Sequence, residues 1–359
     1  MTRIALLGVG LIGGSIGLAA RARLDGETEV VGFDPGEGVL ETALERGAIT
    51  AAARDVPTAL EGAGACFVCA PVGALEGLIA AALDAAPGDC VVSDVGSTKR
   101  DLARSVSDER FIGGHPVAGA ETSGVAHARA DLFDDAAWYL TPGERASGVL
   151  YERLHRLIGA FGARPAAIDP GVHDRLLAAV SHLPHVLANV LVSQAGSTAS
   201  EEGEQLPRVG PSFRDATRVA GASSSVWTDI YMANGDAIAA EIDVAVERLA
   251  EVAGVLRSGD AGAIKAWNEE AREQRRRLTE AELAAGDLHE LRVSVPNSPG
   301  IVAQVALALG RASLNIEDLA LAPAPDMRSG SITLWIAGDD AAARATELVE
   351  SLGYPVAEA

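Results

Sequence analysis

Residues 3–34 read RIALLGVGLIGGSIGLAARARLDGETEVVGFD, and the rest of the fold follows from this stretch. The apolar run Ile4 to Leu7 ends at Gly8, Gly10 and Gly13 complete G-x-G-x-x-G, and a helical pattern continues through Leu18 to Arg21. The order is strand, tight turn, helix. The first glycine permits the turn, and the second lets the backbone amides around Leu11 and Ile12 approach a pyrophosphate at a helix N-terminus. The third lets helix and strand pack closely. A second strand, Glu29 to Phe33, ends in Asp34, twenty-one residues after Gly13, where a carboxylate would meet the adenosine ribose hydroxyls. An acidic side chain there repels a 2′-phosphate, so the expected cofactor is NAD rather than NADP.

Working outward, further strand-like runs stand at Ala65 to Ala70, Cys90 to Ser93, Phe111 to Gly113, Trp138 to Leu140 and Arg164 to Ile168, with helical stretches between several of them. This alternation predicts one α/β, doubly wound unit over residues 1–168. Ligands of such sheets lie beyond the carboxyl ends of the strands, which directs two loops at the cofactor: Ala70, Pro71 and Val72 in one, Asp94 and Gly96 in the other. In the second loop, Ser97 either caps the following helix or places its hydroxyl beside the nicotinamide, and the two roles are compatible. Next comes FIGGHPVAGAETSG at 111–124, where His115 is held between a double glycine and a proline. It is either a histidine in a surface turn or a proton acceptor aimed by restricted backbone.

From about residue 169 the strands stop. His182 and His185 lie three apart across Pro184, near one face of a helical stretch, and read as helix packing, as part of a substrate site or, with no third donor at metal spacing, least well as metal ligands. Arg214 and Arg218 stand at i and i+4, which suits either a bound carboxylate or a solvated basic face. Long amphipathic helices over 225–285 carry no obvious catalytic group and predict a core or a homodimer interface. Residues 169–286 are thus expected to be an all-α unit. The pattern changes again at about 287, and 287–359 reads β, α, β, β, α and a short last strand, a ferredoxin-like α+β unit expected to bind a regulator.

Composition sets the outer bounds. With 48% apolar and 22% charged residues the chain forms cores, and its net charge of -21 argues against nucleic acid and against an anionic membrane surface. No apolar run reaches the roughly eighteen residues of a bilayer span and no signal peptide is evident, so a cytoplasmic protein is expected. Cys66 and Cys69 read as core residues.

Taken together, GVGLIGGS, DVGSTK, GGHPVAGAETSG, SHLPH and FRDATR occur in an order that resembles the prephenate/arogenate dehydrogenase family of tyrosine biosynthesis, and the C-terminal unit resembles an ACT domain. The resemblance implies a Rossmann-type dinucleotide-binding domain, a helical substrate and dimerisation domain, and NAD-dependent oxidative decarboxylation of prephenate or, alternatively, arogenate. It implies His115 as the catalytic histidine on the ring hydroxyl with Ser97 beside it, His185 and Arg218 in the substrate site, and Glu121 as its acidic gate; Arg214 and His182, paired with them by spacing, are further candidate substrate contacts. It also implies tyrosine as a regulatory ligand of the C-terminal unit, whose turn PNSPG departs from ACT domains that carry an acidic residue before Pro-Gly. Another NAD-dependent hydroxyacid dehydrogenase would need a catalytic lysine, and the chain has only Lys99 and Lys265. A non-enzymatic NAD sensor would not need His115.

Overall fold

The computed structural model describes residues 3–24, 28–119, 122–201, 209–281, 287–324 and 329–358. Strand β1 (Arg3–Leu7) is buried almost throughout and leads through the glycine turn into helix α1 (Leu11–Arg23). Then follow β2 (Glu29–Phe33), α2 (Val39–Glu45), the two-residue β3 (Ala51–Ala52), α3 (Val56–Leu60), β4 (Ala65–Val68), α4 (Val72–Ala85), β5 (Val91–Asp94) and α5 (Arg100–Ser105). The five strands form one parallel sheet in the order β3-β2-β1-β4-β5. That order reverses direction between β1 and β4, the place where open α/β sheets bind ligands. Residues 36–60, with β3 and two short helices, were not legible because each element is too short for a periodic pattern.

The expectation of one doubly wound sheet running to Ile168 is corrected. Strands β6 (Ile112–Pro116) and β7 (Ala137–Pro142), helix α6 (Gly148–Ala160) and strand β8 (Arg164–Ala167) build a separate three-stranded sheet, β6-β7-β8. It meets the first sheet at the parallel bridge Val92 to Phe111. Strand β7 runs antiparallel to β6, and parallel to β8 across α6. Between β6 and β7 the chain holds only a 3-10 turn, Val125–His127, among its described residues, and a parallel pair would need a crossover of a dozen or more residues, usually a helix.

The helical unit begins with α7 (Pro170–Leu177), whose first turn is capped by Asp169 through Gly171 N at 3.0 Å and Val172 N at 3.1 Å. A π-turn, Ala178–His182, joins it to α8 (Leu183–Glu201). After α9 (Pro211–Thr217) come the 35-residue α10 (Ser224–Ser258), bent at Asn234, and α11 (Ala261–Ala281). Within Pro170–Thr198 an 18-residue stretch reaches a mean hydropathy of 1.6, so the run is long and apolar enough to cross a bilayer by length and composition, contrary to the sequence expectation. No uninterrupted apolar run is present because His182, Pro184, His185 and Asn189 punctuate the stretch. His182 and His185 pack into the protein, as do His173 and Asp174 before them, while Val180, Val190 and Leu191 stand exposed.

The C-terminal unit is β9 (Leu288–Pro296), α12 (Ile301–Arg311), β10 (Asp318–Pro323), β11 (Ser329–Ala337), α13 (Asp339–Ser351) and β12 (Val356–Glu358). Its antiparallel sheet has the order β10-β11-β9-β12, so the short last strand does pair, on β9. This βαββαβ unit shares one apolar core with the first, a core that includes Leu150, Tyr151 and Ala167 together with Val302, Leu309 and Leu319. The backbones touch: a Cβ on Gly310 would lie 1.9 Å from the Ala167 carbonyl oxygen, and one on Gly300 would lie 2.3 Å from that of Glu144.

Candidate active site

The glycine turn has the geometry its spacing implies. Gly8 is left-handed (φ +98°), and a Cβ there would strike the Cys69 carbonyl oxygen at 2.3 Å. A Cβ on Gly13 would lie 2.1 Å from Gly8 O, so helix and strand are in contact, whereas at Gly10 it would meet nothing within 4 Å. The second glycine therefore faces open space. Helix α1 has no side-chain cap and no acidic residue in its first turn, which leaves the first amides of the helix, Leu11, Ile12 and Gly13, for an anion. Asp34 closes the turn: its carboxylate accepts Val9 N at 2.7 Å and Gly36 N at 2.8 Å. Ala70, Pro71 and Val72 lead into α4, whose Gly73 N is capped at 3.1 Å by Asp229 of α10.

Two residues of the other loop take a different part from the one expected. Asp94 is fully buried, and its carboxylate is spent on the Lys99 ammonium, on Gly96 N at 2.8 Å and on Gly114 N at 3.1 Å. A buried carboxylate with three donors braces the loop and has no face left for a cofactor. Gly96 is buried too, and a Cβ there would strike Leu75 at 2.4 Å. Ser97 does not cap α5, whose N-cap is Lys99; its half-buried hydroxyl lies in the loop itself. Lys99 is 1% exposed and bound to Asp94, which removes the lysine that another hydroxyacid dehydrogenase would use.

His115 lies near the end of β6, and the structure joins it to two residues that the sequence reading missed. Its Nδ1 is 2.9 Å from His173 Nε2, and His173 Nδ1 is 2.8 Å from Asp174 Oδ1. Asp174 also accepts Lys99 N at 2.8 Å and Arg100 N at 3.0 Å. Burial would raise the Asp174 carboxyl, but these bonds outweigh it and hold the group below its ordinary value. An ionised Asp174 makes His173 Nδ1 the donor and so His173 Nε2 the acceptor. His115 must then donate from Nδ1, which leaves its Nε2 lone pair for a ligand. Burial first, then His173, Lys99 and His182, push His115 well below 6.5, so its imidazole is neutral at pH 7.

The helical unit supplies an aromatic wall, which corrects the reading of 225–285 as free of site groups. His185 stacks on Trp227 with centroids 3.5 Å apart and planes 5° off parallel, and its Nδ1 is 2.5 Å from the Tyr231 hydroxyl. Burial lowers His185 as well. His182, expected as a substrate contact, is 1% exposed; it meets Trp227 edge-on and lies 3.2 Å from Asn234 Nδ2, so it supports the wall. Desolvation pulls it down to about 4. Asn234 Nδ2 also donates to Asp174 O at 2.7 Å, which ties the bend of α10 to the histidine line.

Arg214 and Arg218 do not share a helix face. Helix α9 ends at Thr217, and Arg218 opens the 3-10 turn Arg218–Gly221, which packs on α8, the helix that carries His185. Both arginines are exposed. Glu121 lies outside the described residues. Among those residues no three His, Cys, Asp or Glu side chains are grouped to hold a metal ion.

Comparison with known proteins agrees with this layout. Residues 16–166 match the family model described as "Prephenate dehydrogenase, nucleotide-binding domain", and 169–270 match "Prephenate dehydrogenase, dimerization domain". The prephenate dehydrogenase of Bacillus subtilis is 29% identical over 358 residues, covering 97% of this chain and 95% of the relative, so the likeness runs into the C-terminal unit. That of Lactococcus lactis is 32% identical over 86% of each chain. Among solved structures, prephenate dehydrogenase from Aquifex aeolicus, in complex with hydroxyphenyl propionate and NAD+, superposes with a TM-score of 0.72 at 24% identity, covering 77% of this chain and 98% of that one.

Proposed function

The chain belongs to the prephenate dehydrogenase family, and from that premise we propose how its own side chains carry out the NAD-dependent oxidative decarboxylation of prephenate to 4-hydroxyphenylpyruvate. The observation that carries this reading is the line Asp174–His173–His115, which ends in a neutral imidazole with a free Nε2. His115 Nε2 takes the proton of the ring hydroxyl, and the line spreads the resulting positive charge toward the Asp174 carboxylate. Bound NAD would supply the acceptor for the hydride on the carbon that bears this hydroxyl. The ring carboxylate leaves as carbon dioxide, its bonding electrons complete the aromatic ring, and aromatisation makes the step one-way. In this reading Ser97, in the loop after β5, acts beside His115. Trp227 and His185 give the ring a flat wall, and Arg218, with Arg214 further out, holds a carboxylate of the substrate. Mixing the protein with prephenate and NAD should produce NADH, followed by its absorbance, with one carbon dioxide per turnover; no NADH would overturn the reading. Arogenate in place of prephenate is the second substrate to try, since the two differ by an amine against a keto group.

Dinucleotide choice follows from Asp34, whose carboxylate already closes the glycine turn. NAD is expected to be preferred over NADP by at least about tenfold in kcat/KM, which needs only about 1.4 kcal/mol of like-charge repulsion. Equal efficiency would remove the ribose role of Asp34. Arg218→Ala is expected to raise the KM for prephenate about ten- to a hundredfold, the range for one charged hydrogen bond, with NAD affinity unchanged. An unchanged KM would return Arg218 to the solvent.

The same reading divides the chain at 1–168, 169–286 and 287–359. It makes the protein a homodimer, because α8 and α10 leave Val190, Leu191, Met232 and Leu249 exposed in the unit matched as a dimerisation domain. It places the enzyme in the cytoplasm, in keeping with three unpaired cysteines. It also makes the C-terminal βαββαβ unit an ACT-like regulatory module that takes tyrosine. In support, a cavity of about 280 Å³ separates the Asn297–Pro299 turn from Ser147–Val149 of the first unit.

A further inference from the structure

A second cavity, of about 700 Å³, lies where the three units meet, at the end of β6 away from His115. Five arginines line it: Arg100 and Arg104 of α5, Arg145 of the loop after β7, Arg175 of α7 and Arg311 of α12. The whole chain has 29 basic residues against 50 acidic ones, so five guanidiniums around one cleft run against its composition. Crowding like charges costs free energy unless counter-charge is present.

The carboxylates nearby supply only part of that charge. Asp108 is taken by Arg110 at 2.8 Å, and the Arg110 hydrogen bond, against a smaller opposing effect of burial, holds its carboxyl below its ordinary value. Asp169 spends one oxygen on the helix α7 amides and reaches Arg311 at 3.4 Å with the other. Asp101 lies 3.7 Å from Arg100 and 3.9 Å from Arg104. These are loose contacts beside the 2.7 Å of the Arg164–Asp135 pair elsewhere. Glu144, the remaining acidic residue of the lining, is exposed. The Nε of Arg100 is buried and has no hydrogen-bond partner among the described residues. A guanidinium fork binds oxyanions two oxygens at a time, and several forks set around one space suit a ligand with several oxyanion groups.

We propose that this cavity is a binding site for a small multiply charged oxyanion, either a phosphate-bearing molecule or a polycarboxylate, separate from both the dinucleotide turn and the His115 site. It does not depend on the catalytic assignment. The site also lies within one residue of the catalytic line: Arg100 and Arg175 directly follow Lys99 and Asp174, and the Asp174 carboxylate holds the Arg100 amide. An occupant held by these two arginines would span α5 and α7 and hold that amide in place.

The test is calorimetric titration of the full chain, saturated with NAD so that the glycine turn is filled, with pyrophosphate in one arm and citrate in the other, at matched ionic strength. Saturable binding of either probe is expected; pyrophosphate alone marks a phosphate-bearing ligand, citrate alone a polycarboxylate. Arg145→Gln with Arg175→Gln should weaken it at least about tenfold, the loss of two charged contacts, with NAD affinity unchanged. Should that variant fail to fold, Arg104→Gln with Arg145→Gln, both exposed, carries the same expectation. No binding of either probe to the parent at millimolar concentration, binding that the variant keeps in full, or binding seen only without NAD would each overturn the proposal.

Discussion

His115→Ala is expected to lower turnover by about two to four orders of magnitude, the usual contribution of one positioned acid/base group, while NAD affinity stays nearly unchanged. His115 stands on β6, its imidazole meets His173, and it has no part in the glycine turn, so the two effects should separate. The pH profile should carry the same signature. His115 is held well below 6.5, so it is already a base at neutral pH, and activity should fall only as pH drops through that lowered value and protonates Nε2. Stability shifts in the same direction. His115, His173 and His182 are buried and neutral, with lowered values, so the unfolded chain binds more protons from pH 6.5 downward, and stability declines over that window, for His182 as far as about 4. Asp174→Asn provides the control for position: it keeps the shape but removes the charge that fixes both tautomers, so kcat should fall while the KM for prephenate hardly moves. A His115→Ala enzyme that retained most of the parental rate would return this histidine to a structural role.

How far the site could be seen in the sequence depended on how local its parts are. The glycine turn sits in a short stretch where glycines fix the backbone, and it has the geometry its spacing implies; His115 was expected in a loop after a strand ending at Gly113, but β6 runs on to Pro116 and buries it. His173 and Asp174 lie 58 and 59 residues beyond His115 in PGVHDRLL, and nothing in that local pattern says they will reach it. A weak signal was present: two titratable side chains in succession, one turn inside a helix capped by Asp169. Trp227, Tyr231 and Asn234 escaped for the opposite reason, since aromatic residues on a long amphipathic helix have the same pattern whether they face a core or a ligand. The loss of the α9 face at Arg218 rests on the end of a seven-residue helix, and helix ends are poorly marked when no strong cap follows. Asp94, at the carboxyl end of β5, was expected to face the cofactor, and Lys99, five residues on, takes its carboxylate inward instead.

A chain ended at residue 286 is expected not to fold. Separable regulatory modules have cores of their own, but here Val302, Val305, Leu309 and Leu319 belong to the same buried cluster as Leu150, Leu154 and Ala167. Each such side chain contributes about 1.5–3 kcal/mol on burial, so stripping even a few from the interface removes most of a typical stability of about 5–15 kcal/mol. Helix α12 also lies directly on β8 at Gly310, and Glu152 of α6 accepts Leu321 N at 3.2 Å, a bond that truncation leaves open. Thermal unfolding checks this: a truncated chain that melts cooperatively near the parent's midpoint would show that the first two units stand alone. The consequence bears on regulation. Deletion cannot test the tyrosine reading, and a substitution in the full chain must do so. Val149 is 60% exposed and lines the cavity beside the Asn297–Pro299 turn, so Val149→Trp should fill the mouth without disturbing the core. Tyrosine should lower the activity of the parent, because it must bind one conformation of the enzyme more tightly than another, and it should lose this effect in Val149→Trp with kcat unchanged. Inhibition that survives the substitution and competes with prephenate would place tyrosine in the active site, and the C-terminal unit would then serve the fold alone.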